Sequence, residues 1–274
     1  MYNIAVESAK KEDVLAARKI IVASSKGGVG KSTVALGVAG ALNSLGKTVL
    51  ICDLDFENRC LDLFMGVEST ALFNVADIAA GRVNPGRAIL KNSSGLSFLA
   101  APEGASFEEE GGTDKEGLAA ALKKVVEYTK ADFVIFDTGT AHGIPALVAK
   151  TFPDAKALIV VSHQATATRG AERMAEVLEA AGVKECRLVI CGYEFKAASG
   201  NERSGLIEII DSSRVPLIGV VPYDRALMLS HERGVRAPED SPSSIAFENI
   251  AERLLGETVR LFDGIGSVNR KKII

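Results

Sequence analysis

Residues 25–33 read Ser25-Lys26-Gly27-Gly28-Val29-Gly30-Lys31-Ser32-Thr33. A β-branched run, Ile20-Ile21-Val22, precedes them, and a helical pattern of Val34, Ala35, Val38, Ala39 and Leu42 follows. Strand, glycine-rich loop and helix in that order are the context of a phosphate-binding loop. The glycines let successive backbone N–H groups turn inward around phosphate oxygens, and the helix N-terminus adds partial positive charge. On this reading Gly27, Gly28, Val29, Gly30, Lys31, Ser32 and Thr33 hold the phosphates. Lys31 reaches the β- and γ-phosphates, and the Ser32 hydroxyl ligates Mg²⁺.

Two further strands end in aspartate. Thr48-Val49-Leu50-Ile51-Cys52 reads as a buried parallel strand that delivers Asp53 and Asp55 to its C-terminal end. Asp132-Phe133-Val134-Ile135-Phe136-Asp137 does the same for Asp137. Ligands of open α/β sheets bind at that edge. Carboxylates there serve Mg²⁺ coordination or proton work.

The loop departs from the ordinary motif, with Ser25 at its first position and a second lysine, Lys26, inside it. In this it resembles the MinD/ParA family of deviant Walker A ATPases, whose loop reads Lys-Gly-Gly-x-Gly-Lys-Ser/Thr. The chain looks closest to the MinD members. Asp53-Leu54-Asp55, Arg59 and Leu61-Asp62-Leu63-Phe64-Met65-Gly66 resemble their switch I, and the strand ending in Asp137 resembles Walker B, or switch II. The resemblance covers residues 19–256. It implies an ATP hydrolase that uses Mg²⁺ and dimerises on ATP. Lys26, Lys31 and Asp55 are then catalytic: Lys26 reaches the nucleotide of a partner copy, and Asp55 activates the attacking water. Ser32, Asp53 and Asp137 form the metal shell, and Pro222 and Asp224 border the adenine. A protein activator and a slow, partner-stimulated turnover are also implied.

Three places depart from the family pattern. Glu57-Asn58-Arg59-Cys60 stands where the family often has Gly-Leu-Arg-Asn. Thr138-Gly139-Thr140-Ala141-His142-Gly143 replaces Thr/Ser-Pro-Ala-Gly in switch II. Cys191-Gly192-Tyr193 occupies the position of an Asn-Arg pair whose asparagine reads the base, and a thiol is a weak hydrogen-bonder. His142 reads as a switch-loop histidine, because such sites orient water more than they deprotonate it.

The chain has 274 residues, 47% hydrophobic and 24% charged, which suits one large α/β domain. The expected fold is an open, mostly parallel sheet of about seven strands with helices on both faces. A net charge of −3 does not mark a nucleic-acid binder, so DNA is an unfavoured partner. Four cysteines, Cys52, Cys60, Cys186 and Cys191, lack any C-x-x-C pair, and Cys52 and Cys191 read as buried thiols. No run of 18 apolar residues occurs, and a cytoplasmic location is expected.

Residues 1–18 read as an extension, residues 102–117 as an acidic glycine-rich surface loop, and residues 166–181 as a helix with Met174, Val177 and Leu178 inward. Residues 257–274 place Leu261, Ile265 and Val268 near helical spacing beside basic residues. By resemblance this is an amphipathic tail for the inner face of the cell membrane, although Gly264 and Gly266 disfavour a helix. The readings left open are a MinD-like positioning switch in division-site selection, a ParA-type partitioning ATPase on DNA, and a nucleotide-binding regulator of little turnover.

Overall fold

The computed structural model describes residues 16–102, 114–140, 143–195 and 205–264. The expectations for residues 1–15, for most of the acidic loop, for His142 and for the tail beyond Gly264 fall outside these residues. Eight strands form one sheet: β1 (Arg18–Ala23), β2 (Val49–Asp53), β3 (Leu90–Lys91), β4 (Ser97–Leu99), β5 (Phe133–Asp137), β6 (Lys156–Val161), β7 (Glu185–Tyr193) and β8 (Leu217–Pro222). Their spatial order is β3-β4-β2-β5-β1-β6-β7-β8. Every pairing is parallel except that of β3 with β4. The sheet is open and mostly parallel as expected, with eight strands against the expected count of about seven and one short antiparallel strand at its edge.

β1, β2 and β5 sit in the middle of this order and are apolar almost throughout. Ile20–Ala23 and every residue of β2 and β5 are buried. Such continuous burial requires cover on both faces. Helix α1 (Lys31–Ser44) packs on β1, β2 and β5, and α6 (Gly143–Thr151) reaches β1 from the other layer. α1 is joined in its layer by α10 (Pro242–Leu255), which also lies on β8.

The other long helices are α5 (Lys115–Thr129), α7 (Ala165–Ala180) and α8 (Leu206–Ser213). α9 (Arg225–Glu232) equals α8 in length, and the shorter ones are α2 (Leu61–Phe64), α3 (Val75–Ala79) and α4 (Pro85–Ala88). α5 starts at Asp114, whose carboxylate accepts the N–H groups of Glu116 and Gly117, an N-cap that fixes its first turn. In α7, Met174 and Leu178 are buried as expected, but Val177 is 38% exposed. Helical periodicity puts 174 and 178 on one line four residues apart and turns 177 off it.

α10 ends at Gly256, which adopts a left-handed φ of 101°. The chain then folds back as turns. Arg253 donates to the Val259 carbonyl at 3.0 Å, Asn249 donates to the Asp263 carbonyl at 2.9 Å, and Phe262 is buried edge-on against Phe195. The expected amphipathic helix is thus absent from residues 257–264, which pack onto the domain instead.

Candidate functional site

The order of the strands decides where chemistry can happen. β1 lies between β5 and β6, and its loop, residues 24–30, leaves the C-terminal edge of the sheet to enter α1. Gly30 takes φ 95° and begins α1 with no side-chain cap, so the first N–H groups of α1 stay open to an anion. Lys31 and Ser32 are buried at the head of that helix.

Asp53 and Asp137 end β2 and β5 in the same register, side by side. Neither is exposed to solvent. Asp53 Oδ1 accepts the Asp55 N–H at 2.9 Å. Asp53 Oδ2 and both oxygens of Asp137 have no hydrogen-bond partner. Burial, then the neighbouring Asp137 charge, hold the Asp53 carboxyl well above the usual range. Burial also pushes Asp137 up to about 6, against the pull of Ser32 and the Lys31 ammonium. The Ser32 hydroxyl and the Gly139 N–H come close enough to favour its charge without making hydrogen bonds of ordinary geometry.

Orphaned buried carboxylate oxygens are costly unless something cationic meets them. A hydroxyl and two carboxylates, beside a helix N-terminus that takes phosphate, form the donor set of a Mg²⁺ held jointly with phosphates. No group of three or more histidine, cysteine or carboxylate side chains forms a self-sufficient metal cage among the described residues. That suits an ion completed by phosphate oxygens and water. The residues therefore fit Mg²⁺: Ser32, Asp53 and Asp137 would surround it.

Asp55 closes the site on the side of switch I. Its Oδ1 accepts the N–H groups of Glu57 at 3.2 Å and Asn58 at 3.0 Å, which turns the chain towards α2. Gly139 touches it from switch II. With φ 57°, Gly139 sits where a Cβ would stand 2.9 Å from the Asp55 carboxylate, so glycine is required there. Thr140 Oγ1 donates to Glu57 at 3.2 Å, a second tie between the two switches. The altered Gly139-Thr140 sequence thus has a structural use.

Lys26 donates from Nζ to Gln164 Oε1, at the entry to α7. Its ammonium is engaged within its own chain. Gln164 was not singled out from the sequence, although it follows the C-terminal end of β6, the same sheet edge as the loop. Cys60 was also missed as a site residue. Burial pushes its thiol up to about 11, with the charges of Asp137, Asp53 and Asp55 adding to the effect.

The remaining site candidates lie at the C-terminal ends of β7 and β8. Pro222 closes β8 and pairs with Tyr193. Asp224 accepts the Ala226 N–H at 2.9 Å and the Ser243 hydroxyl at 2.6 Å. Its carboxylate is committed to starting α9 and tying it to α10. Cys191 is buried, and its Sγ would lie 2.7 Å from a Cβ at Gly30. It therefore packs under the phosphate loop. Cys186 sits five residues earlier on β7, about 16 Å away at the usual rise of a strand, so the two thiols cannot share a cluster.

A sequence model for a family described as ParA, a NUBPL iron-transfer P-loop NTPase, matches residues 16–255. The chain belongs to the ParA family of P-loop NTPases. Within it, the septum site-determining protein MinD of Synechocystis sp. is 31% identical over 259 residues, covering 92% of this chain and 94% of its own. MinD of Bacillus subtilis is 30% identical over 253 residues, covering 88% and 90%. Among solved structures, a chain of the MinC:MinD cell division protein complex of Aquifex aeolicus superposes with a TM-score of 0.77 at 27% identity, covering 89% of this chain and 98% of that one. The expected family and fold are borne out, and the site described above is that of a nucleoside-triphosphate-hydrolysing ParA-family protein. No helix among the described residues is long and apolar enough to cross a membrane.

Proposed function

We propose that this protein is a MinD-like ATPase that forms a homodimer when ATP and Mg²⁺ are bound and acts as a spatial-positioning switch. The observation that carries the reading is the meeting of the phosphate loop with the paired, partnerless carboxylates of Asp53 and Asp137 at one sheet edge. ATP is the substrate, hydrolysed to ADP and phosphate. The loop N–H groups and Lys31 hold its phosphates and stabilise the charge that develops on the transferred phosphoryl group. Ser32, Asp53 and Asp137 would hold Mg²⁺, which would neutralise phosphate charge. Asp55 orients the attacking water, and its turn and its contact with Gly139 hold it ready. Lys26 leaves Gln164 to reach the nucleotide of the second copy, an arginine-finger-like role.

The two switches tied through Asp55, Gly139, Glu57 and Thr140 support a nucleotide-driven change of surface. A protein activator of the MinD type reads that surface, and the basic C-terminal segment Arg270-Lys271-Lys272 meets an anionic membrane face. Lys31→Ala abolishes ATP binding, measured with a fluorescent ATP analogue and Mg²⁺. Retained affinity would remove the phosphate-loop assignment. Lys26→Ala keeps ATP binding but loses ATP-dependent dimerisation in sedimentation velocity. A normal dimer and normal turnover in that variant would refute the role across the interface.

A further inference from the structure

A cavity of about 190 Å³ lies beside α2, where that helix meets α1, α9, α10 and the β3–β4 turn. None of Lys31, Asp53, Asp55 and Asp137 lines it. Its walls follow from particular residues. On α1, Gly37 lets the Phe247 ring of α10 lie against the helix backbone, since a Cβ at 37 would stand 2.3 Å from that ring. Gly40 lines the cavity too, and a Cβ there would meet nothing within 4 Å. From α2 and α9 come Phe64 and His231, whose rings stack with centroids 4.3 Å apart at 11°. Gly66 and Gly234 bring the ends of those two helices into backbone contact, for a Cβ at 234 would stand 2.6 Å from the Gly66 Cα.

The cavity asks for no charge. No carboxylate of the described residues lines it. Burial lowers His231 to about 4, so its imidazole is neutral near pH 7. Arg236 hydrogen-bonds the Ser44 hydroxyl and pairs with Glu239 at 3.6 Å, which answers its charge within the chain. The polar rim is the β3–β4 turn. There Asn92 Oδ1 accepts the N–H groups of Ser94 at 3.1 Å and Leu96 at 3.0 Å, and so fixes Ser93 at the tip.

A dry apolar cavity of about 150 Å³ takes up benzene. This one is larger, walled by rings and edged by hydroxyls. We propose that it is a binding site for a compact, uncharged aromatic molecule, seated against Phe247 and the Phe64–His231 stack, whose presence pins α2 to α1 and α9. α2 is a single turn, with the Phe64 N–H donating to the Cys60 carbonyl at 3.1 Å and the Met65 N–H to the Leu61 carbonyl at 2.9 Å. So short a helix opens locally. A ligand that binds only the closed form holds it shut. The inference stands on the cavity and not on the nucleotide chemistry proposed above.

The probe is indole. The chain contains no tryptophan, so indole excited beyond the tyrosine band is read without background. Titration with the full chain shifts its emission to the blue and saturates at one indole per chain. Gly40→Leu puts a side chain into the open space and suits a helix better than glycine, and it loses the shift. Leu72→Ser, at a leucine 80% exposed and outside the cavity, keeps it. In hydrogen exchange, indole slows the Phe64 and Met65 amides of the wild type and leaves those of Gly40→Leu unchanged. Val235→Phe, at a half-exposed lining position, takes the place of Gly40→Leu if that chain does not fold. An unshifted emission, full binding by the folded cavity-filling variant, or a shift lost in Leu72→Ser overturns the site. Unslowed Phe64 and Met65 amides at saturating indole overturn the pinning of α2.

Discussion

Asp53 and Asp137 face each other across the parallel pair of β2 and β5, both fully buried, with three of their four carboxylate oxygens lacking a partner. Two like charges this close, out of water, oppose folding until a cation arrives. The sign follows from the direction of the shift. Asp137 rises from 3.8 to about 6 in the fold, so its contribution to stability is fully present below about pH 4 and is lost as pH climbs to about 6. Asp137→Asn therefore gains stability over wild type as pH rises from 4 to 6 in metal-free buffer. Thermal unfolding in EDTA across that range checks it. A difference that stays constant with pH would show that the pair is not strained in this way.

His231 works in the opposite direction over the same range. It stacks on Phe64 with ring centroids 4.3 Å apart, joining α9 to α2 just beyond switch I, and burial lowers it to about 4. Its contribution is present above the ordinary value of 6.5 and is lost as pH falls towards 4. His231→Phe keeps a ring against Phe64 and removes the proton. That variant melts a few °C above wild type at pH 4.5, the size of about 1 kcal/mol in a chain this long, and near wild type at pH 7.5. Equal melting at both values would show that the imidazole stays solvated when charged.

Ser25 and Gly170 fit against one another where α7 passes the phosphate loop. A methyl group at 170 would stand 1.6 Å from Ser25 Oγ and 2.6 Å from its Cβ. Gly170→Ala therefore pushes the loop off its position, at a cost of about 1–3 kcal/mol typical of overpacking, and weakens ATP binding by about tenfold or more. Ser25→Gly in the same chain restores most of the affinity, since it removes the atom in the way. A double variant as weak as Gly170→Ala alone would place the damage in α7 and not in the loop.

These pairs mark the limit of what the chain states on its face. The loop was legible because glycine spacing, a β-branched run and a helical pattern all agree locally, and Asp53 and Asp137 because each ends a buried apolar run. β3 was not, since two residues on a sheet edge carry no periodicity. Ser25 with Gly170 and Lys26 with Gln164 meet only through the fold, at separations no local pattern records. Asp224 also carries a local signal. An aspartate directly before a helical segment is an N-cap, and it caps α9 here.

The C-terminal segment can be tested cleanly only if the cut respects the packing. A chain ending at Leu255 loses buried Phe262 and the Asn249 and Arg253 contacts to the Asp263 and Val259 carbonyls. Removing a buried phenylalanine alone costs about 3–5 kcal/mol, so that chain is destabilised whatever the tail does. A chain ending at Gly264 keeps every one of these contacts. Sedimentation with anionic liposomes, with ATP and with ADP, then compares full length with the Gly264 form. ATP-dependent binding that disappears in the Gly264 form assigns the membrane contact to residues 265–274. Equal binding by both moves that contact onto the folded domain, and the proposed role of Arg270-Lys271-Lys272 is then wrong.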